Sequence, residues 1–343
     1  MTGTALALQE PRGLGETENP VVVATGLSKV YGSGEAAVQA LRNVDLEIGG
    51  AQFTAIMGPS GSGKSTLMHC LAGLDTATSG SIMLEDHQLT SMNERQLTRL
   101  RRESIGFVFQ SFNLVPTLTA QENITLPADI AGKKIDPERL KTVVDAVGLT
   151  DRLTHRPAEL SGGQQQRVAC ARALVTEPAV VFADEPTGNL DSVSSDQVLR
   201  FLRQAVDRFH QTVVMVTHEP EAAAWADRVI FLRDGRIAGE LSQPTRDSVL
   251  DALRVLGGEQ PDVDDSSDII DIIEDTDYIL VGVEPPAEPT LPPEGPPPPT
   301  LSPEAAAMVD QAQHILGDLH GSVIEPDTYD KLEPNPSTAR ERR

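Results

Sequence analysis

The stretch Gly58-Pro59-Ser60-Gly61-Ser62-Gly63-Lys64-Ser65-Thr66 fits the spacing Gly-x4-Gly-Lys-Ser/Thr in full. Glycines let a backbone curl until its N–H groups point inward, which makes a cradle for phosphate oxygens. A helix starting near Lys64 adds its positive N-terminal end. At this spacing the Lys64 ammonium reaches the β- and γ-phosphates of a nucleotide and the Ser65 hydroxyl meets Mg²⁺. Thr66 is placed for the α-phosphate. A second set stands at 180–185, where a Val-Val-Phe-Ala run ends in Asp184-Glu185. A carboxylate at a strand end can hold Mg²⁺, usually through water. Neighbours on a strand point in different directions, so one acid can serve a metal while the other faces an attacking water. Glu185 is the candidate general base for that water. Gln110 closes the run 105–109 and can offer an amide to Mg²⁺ or water. His218 follows the run 213–217 and can contact the γ-phosphate. Taken singly, Gln110 would be a solvated polar residue and His218 a structural one. Their place in the set raises both. The chemistry implied is hydrolysis of a nucleotide.

These residues need strands and helices to aim them. The segments 21–23, 43–48 and 52–57 read as strands, the last stopped by Gly58 before the helix at Lys64. Strand, glycine loop and helix is the context the phosphate motif requires. Residues 92–103 place Leu97 and Leu100 at helical spacing, and 105–109 reads as a strand. Helical stretches lie within 111–160, notably 137–147, and Ser161 is a favourable N-cap for the next helix. The runs 180–183 and 213–217 are β-branched and apolar, of buried-strand type. The runs 229–232 and 236–240 flank Asp234-Gly235 and read as a hairpin.

Composition divides the chain of 343 residues. Residues 1–20 read as a flexible lead. Residues 21–256 carry the motifs. Residues 257–343 hold 20 acidic against 4 basic side chains and 14 of the 25 prolines. That tail reads as largely disordered, with a possible amphipathic helix at 303–320. Its charge argues against nucleic-acid binding. Cys70 and Cys170 fall in predicted helices with neither zinc spacing nor a disulfide framework. They read as small buried residues and fit a reducing compartment. No apolar run approaches a membrane-spanning length, and the first fifteen residues are not a convincing signal peptide. A cytoplasmic location is expected, with any membrane segment supplied by a partner.

Leu160-Ser161-Gly162-Gly163-Gln164 gives these motifs a family. Residues 21–245 resemble the nucleotide-binding domain of ABC (ATP-binding cassette) ATPases, with the motifs in family order. The resemblance implies an α/β P-loop NTPase core, an antiparallel β subdomain and an α-helical subdomain carrying the signature. It implies ATP and Mg²⁺ as ligands, with Ser65, Gln110 and Asp184 at the metal. Tyr31 matches the aromatic that stacks on adenine, Asn189-Leu190-Asp191 the D-loop, and His218 the switch histidine. In this family two domains pack head to tail, so Ser161, Gly162, Gly163, Gln164 and Asp191 act on the nucleotide held by the other copy. The residue chemistry agrees. Ser161, Gly162 and Gly163 at a helix N-terminus form an anion-binding surface, yet the chain already has one complete phosphate loop.

The stretch 105–123, with 160–167 and 186–191, resembles the group containing the lipoprotein-release, macrolide-export and FtsE cell-division ATPases. That implies an integral membrane permease of FtsX or MacB type as partner and a peripheral place on the inner face of the cell membrane. Family members receive the permease's coupling helix after the residue matching Gln110. Phe112, Leu114 and Leu118 are then either an exposed apolar socket or packing within the helical subdomain. The ATPase of an amino-acid importer is the alternative. Soluble relatives of translation or DNA maintenance fit poorly, since one cassette is present and no long coiled coil separates its motifs. The tail is a candidate binding segment for a regulator.

Overall fold

The computed structural model describes residues 8–15, 17 and 19–257. All lie within the first of two units into which the chain divides, Met1–Asp265. The tail, its possible helix at 303–320 and its regulator role lie outside the described residues.

Strands β1 (Pro20–Tyr31) and β2 (Val38–Gly49) form a long antiparallel pair. Strand β3 (Phe53–Met57) is buried along its whole length and feeds helix α1 (Lys64–Leu71). Strands β4 (Ser79–Leu84) and β5 (His87–Gln88) complete a four-stranded sheet in the order β2-β1-β4-β5. Its pairings are antiparallel, as the antiparallel subdomain requires. Helix α2 (Glu94–Ser104) starts with a capping box between Asn93 and Gln96 and buries Leu97 and Leu100. It leads into β6 (Ile105–Phe109).

The helical subdomain follows. Helix α3 (Ala120–Ala131) opens on a capping box of Thr119 with Glu122. Helix α4 (Pro137–Val147) opens on Asp136 with Pro137 in its first turn. Helix α5 (Gly162–Leu174) has Ser161 as N-cap, reciprocated by Gln164. Each start satisfies N–H groups that a bare helix end leaves unpaired. Strand β7 (Val180–Asp184), helix α6 (Ser192–Phe209) and strand β8 (Thr212–Val216) return to the core. A short helix α7 (Pro220–Ala223), the hairpin β9 (Arg228–Arg233) and β10 (Arg236–Ser242), and helix α8 (Arg246–Gly257) complete the described chain.

The larger sheet runs β10-β9-β3-β8-β7-β6. Strands β9, β3, β8, β7 and β6 pair in parallel, and β10 is antiparallel to β9. Their side chains alternate between two cores. Val181 and Ala183 of β7 join Val168 and Leu174 of α5 on one face. Val180 and Phe182 join Leu67 and Leu71 of α1 on the other. Parallel register has the functional consequence. Phe109, Asp184 and Val216 lie in line across β6, β7 and β8, and Ile56 of β3 pairs with Val216. The residues after these strands therefore share one carboxyl edge, where open α/β sheets bind ligands.

The described residues of the lead-in are bonded to the sheets, where flexibility is expected from sequence. Gln9 exchanges two backbone hydrogen bonds with Glu240, both 2.9 Å. The Arg12 backbone N–H donates to Glu240 Oε1 at 2.9 Å. The N–H groups of Gly15 and Thr17 donate to the Glu47 carboxylate at 2.6 and 3.0 Å. Gln9, Arg12, Gly15 and Thr17 thus bind one glutamate on each sheet, distant in sequence and invisible to local pattern. Glu240 also pairs with Arg228, both side chains being 1% exposed. Replacing Glu240 by Ala strands a buried guanidinium and costs about 3–5 kcal/mol, read as a lower midpoint in denaturant unfolding. Burial pushes the Glu47 carboxyl up, and the Gly15 and Thr17 N–H groups outweigh it, so its pKa lies below the usual glutamate value. A carboxyl depressed on folding stabilises above its unfolded pKa, about 4.3, and loses that contribution as pH falls through the folded value. Acid titration of unfolding stability checks this, because Glu47→Gln removes that part of the slope.

Both cysteines are buried and free. Burial pushes the Cys70 thiol up to about 11 and the Cys170 thiol up to about 12.

Candidate nucleotide site

The carboxyl edge collects the phosphate loop after β3, Gln110 after β6, the acids at the end of β7 and His218 after β8. Gly58 turns the chain out of β3 at φ 149°. A Cβ there would lie 2.0 Å from the Leu232 carbonyl oxygen, so a side chain is excluded by backbone. Gly61 and Gly63 also have positive φ, at 78° and 102°. Lys64 Nζ spans the loop, donating to the carbonyls of Gly58 at 2.8 Å and Pro59 at 2.9 Å. Burial lowers the Lys64 pKa, against the charges of Glu185 and Asp184. Ser60 and Gly61 are exposed on the loop, while Ser62 is buried beneath it. A cavity of about 640 Å³ opens here, lined by Ser60, Lys64, Glu185 and His218, with Leu253 and Leu256 of α8 on its far wall.

Ser65 Oγ lies 3.5 Å from Asp184 Oδ1. The pair offers a hydroxyl and a carboxylate, the hard oxygen donors that Mg²⁺ prefers. Burial raises the Asp184 pKa, opposed by His69 and reinforced by Glu185. A cation beside Asp184 would relieve that penalty. Glu185 adopts φ 44°, an uncommon left-handed conformation for a non-glycine residue. Its N–H donates to the Val216 carbonyl at 2.9 Å. This break from the strand separates the two acids, leaving Asp184 toward Ser65 and Glu185 toward His218. His218 Nδ1 donates to Glu185 Oε1 at 3.0 Å, since an ionised carboxylate only accepts.

Gln110 follows the end of β6, on the same carboxyl edge as Asp184. Its Nε2 donates to Asn189 Oδ1 at 3.3 Å, and its own carbonyl accepts from Asn189 Nδ2 at 3.1 Å. These two bonds tie Gln110 to Asn189 in the loop after β7. Tyr31 ends β1 and is 41% exposed. Its hydroxyl donates to Asp75 Oδ2 at 2.6 Å, and Lys29 Nζ sits 4.7 Å from the ring centroid. Burial and the Asp75 bond raise the phenol pKa, with Thr66 opposing.

The signature residues stand at the N-terminus of α5. Ser161 and Gly162 are exposed at the start of α5. Ser161 Oγ accepts from Gln164 N at 3.3 Å, and Gln164 Oε1 accepts from Ser161 N at 2.9 Å. Gly163 is buried because a Cβ there would lie 2.4 Å from Ser194 Oγ. Ser194 is held by Asp191, which caps α6 and accepts from Ser194 N at 2.9 Å and Oγ at 2.7 Å. The signature and Asp191 are therefore one packed unit.

The region 41–188 matches the family model described as ABC transporter. The ABC transporter ATP-binding protein YvcR of Bacillus subtilis is 44% identical over 248 residues, 70% of this chain and 96% of that protein. This chain belongs to the ABC transporter ATP-binding proteins. The bacitracin export ATP-binding protein BceA of Halalkalibacterium halodurans is 39% identical over 250 residues, covering 71% of this ABC protein and 99% of BceA. The macrolide export ATP-binding/permease protein MacB of Brucella melitensis is 46% identical over 226 residues, 65% of this chain but 35% of MacB. Among solved structures, the dimeric ATP-binding cassette MJ0796, bound to ADP and Pi in a post-hydrolysis state, shares 39% identity at a TM-score of 0.60. It covers 65% of this chain and 99% of that one. The fold of this ABC protein is that of an ATP-hydrolysing cassette.

Sequence reasoning missed three supports of this ABC site. Asn123, fully buried, accepts from Val115 N at 2.8 Å and donates to the carbonyls of Val115, Leu118 and Thr119. It shapes the loop before α3. Arg172 donates to the carbonyls of Asn113 at 2.6 Å and Phe112 at 2.9 Å. Gln166, fully buried, bridges two strand ends. A polar residue on the core-facing side of a helix was the available signal for Gln166. Phe112, Leu114 and Leu118 are half-buried, and Leu114 packs on the core.

Proposed function

We propose that this chain is the ATPase subunit of an export-type ABC complex and works as a head-to-tail pair around two MgATP. The observation that carries the reading is the exposed α5 terminus at Ser161 and Gly162, on a chain that already holds a complete phosphate loop. Neither surface alone encloses a triphosphate. Two copies, each lending its signature to the other's loop, do. The solved MJ0796 cassette bound to ADP and Pi is itself dimeric, which supports the same arrangement here.

Within each site, Gly58, Ser60, Gly61, Ser62, Gly63 and Lys64 bind phosphate through backbone N–H groups and the ammonium. Tyr31 stacks on the base, and Thr66 meets the α-phosphate. Ser65 and Asp184 would hold Mg²⁺, which neutralises charge on the phosphate oxygens. Glu185 takes the proton of the attacking water as the water oxygen bonds to the γ-phosphorus, and the bond from that phosphorus to the β–γ bridging oxygen breaks to release ADP. His218 holds the Glu185 carboxylate in place for that proton. Gln110 acts through its pairing with Asn189, which ties the end of β6 to the loop carrying Asp191. Gln110 would join Ser65 and Asp184 at the metal.

The partner is proposed to be a permease of FtsX or MacB type, with the ATPase held peripherally at the membrane. MacB carries its ATP-binding and permease parts under one name, and this chain matches the ATP-binding part. No described helix is long and apolar enough to cross a membrane. A groove of about 430 Å³ lies between the core and the helical subdomain, lined by Leu74, Phe107, Leu126 and Ile130 with Arg101 and Arg102. Leu74 and Ile130 are 42% and 61% exposed. An amphipathic cytoplasmic helix of the permease, apolar with an acidic edge, fits that lining. Replacing Ile130 by Asp is expected to abolish co-purification of the permease from native membranes. Undiminished co-purification overturns the groove as the docking site. The named relatives with stated cargo are exporters, and no observation favours the amino-acid importer.

A further inference from the structure

We propose that Gln166 is a positioning residue for hydrolysis, a spacer that fixes the distance between the base strand and the strand carrying Gln110. Its side chain is fully buried in the middle turn of α5. Nε2 donates to the Pro186 carbonyl at 2.7 Å and to the Phe109 carbonyl at 3.3 Å. Pro186 directly follows Glu185, and Phe109 directly precedes Gln110. One amide nitrogen therefore ties together the backbones on both sides of the site, and does so from the signature helix.

The orientation of the amide is forced. Two carbonyl oxygens can only accept, so the nitrogen must face them. The Oε1 atom is left buried without a partner. Burying an unsatisfied acceptor is costly, and a leucine or methionine would fill the same space without that cost. The glutamine is a poor solution for packing and a good one for holding two carbonyls.

The place held is the one that needs holding. Glu185 sits at φ 44°. Its N–H is fixed by Val216 and its carbonyl by Gly188 N at 3.1 Å. Proline has no N–H, so the carbonyl is the only backbone hydrogen-bonding group that residue 186 can offer. Gln166 takes it. Without that bond the turn 185–188 can relax toward an ordinary conformation and swing the Glu185 carboxylate off the attacking water. Because the same nitrogen holds Phe109, movement of the β6 end or of α5 reaches Glu185 through a single side chain.

The inference rests on Glu185 as the base, which the Glu185→Gln variant checks separately. The test uses the full chain and two substitutions, Gln166→Leu and Gln166→Glu, with kcat and KM for MgATP and a thermal melt. Gln166→Leu is expected to lower kcat about tenfold or more with KM within about twofold of wild type. Gln166→Glu carries a pH signature. Its carboxylate faces two carbonyl oxygens in a buried site, so its pKa is pushed up. Once protonated it donates to Pro186 again. The ratio of its kcat to that of wild type therefore rises as pH falls from about 8 to about 6. If Gln166→Leu does not fold, the pH ratio of Gln166→Glu decides alone. Wild-type kcat in folded Gln166→Leu, or a pH-independent ratio in Gln166→Glu, overturns the proposal.

Discussion

Glu185→Gln is expected to stop steady-state ATP turnover, by about 10²–10⁴-fold, the usual worth of a positioned general base. The substitution keeps the volume and the left-handed backbone at φ 44°. It keeps the N–H bond to Val216. What it removes is the ability to take a proton. An amide oxygen can still accept from His218 Nδ1, where the carboxylate now sits at 3.0 Å, so the surrounding turn has no reason to move. ATP binding should persist, because the phosphate loop is untouched. Phosphate release under saturating MgATP checks the first part, and retained nucleotide after gel filtration checks the second. Turnover near wild type would assign the base elsewhere.

Ser161→Asp is the second large effect, and its design separates function from fold. Aspartate is as good an N-cap as serine, so the bond now made to Gln164 N at 3.3 Å can be kept and the melting temperature should hardly change. The new carboxylate stands at an exposed helix N-terminus that the account places against a partner's γ-phosphate. There it adds a charge of the wrong sign and cancels the terminus's attraction for an anion. Turnover is expected to fall on the order of 10²–10³-fold, the scale of losing one preorganised donor to a transition-state oxygen. Binding of ATP to a single copy should be retained, since Ser161 is not part of that copy's own cradle. An active, stable Ser161→Asp protein would contradict a role for the signature in trans.

Local chemistry made the site readable in advance. The glycine spacing at 58–63, the acid pair at 184–185 and the cap at Ser161 each act over a few residues, and each is found where the sequence places it. The strands read from 52–57, 105–109 and 180–183 hold because β-branched and aromatic runs of that length bury on both faces. What escaped was long-range. Nothing near Gln9 or Arg12 announces Glu240, more than two hundred residues away, so a strap bound to both sheets read as a free lead. The α6 and α8 helices carry no chemical motif, though Leu253 and Leu256 of α8 line the cavity beside Lys64 and Glu185. Gln110 is expected at the metal from its place at a strand end and from the resemblance. Its rotamer depends on Asn189, which no spacing rule connects to it. Gln166 stood inside the signature stretch as one of three consecutive glutamines, and only burial distinguishes it from its neighbours.

The central claim is that the unit of hydrolysis is a pair of chains. It is tested most directly by the solution mass of Glu185→Gln, measured by light scattering with and without MgATP. The account predicts twice the 36.8 kDa chain mass with MgATP and a single chain without it. It also predicts that adding Ser161→Asp to the same protein returns the mass to one chain while ATP stays bound. A single-chain mass at saturating MgATP, or a doubled mass that ignores Ser161→Asp, would contradict it.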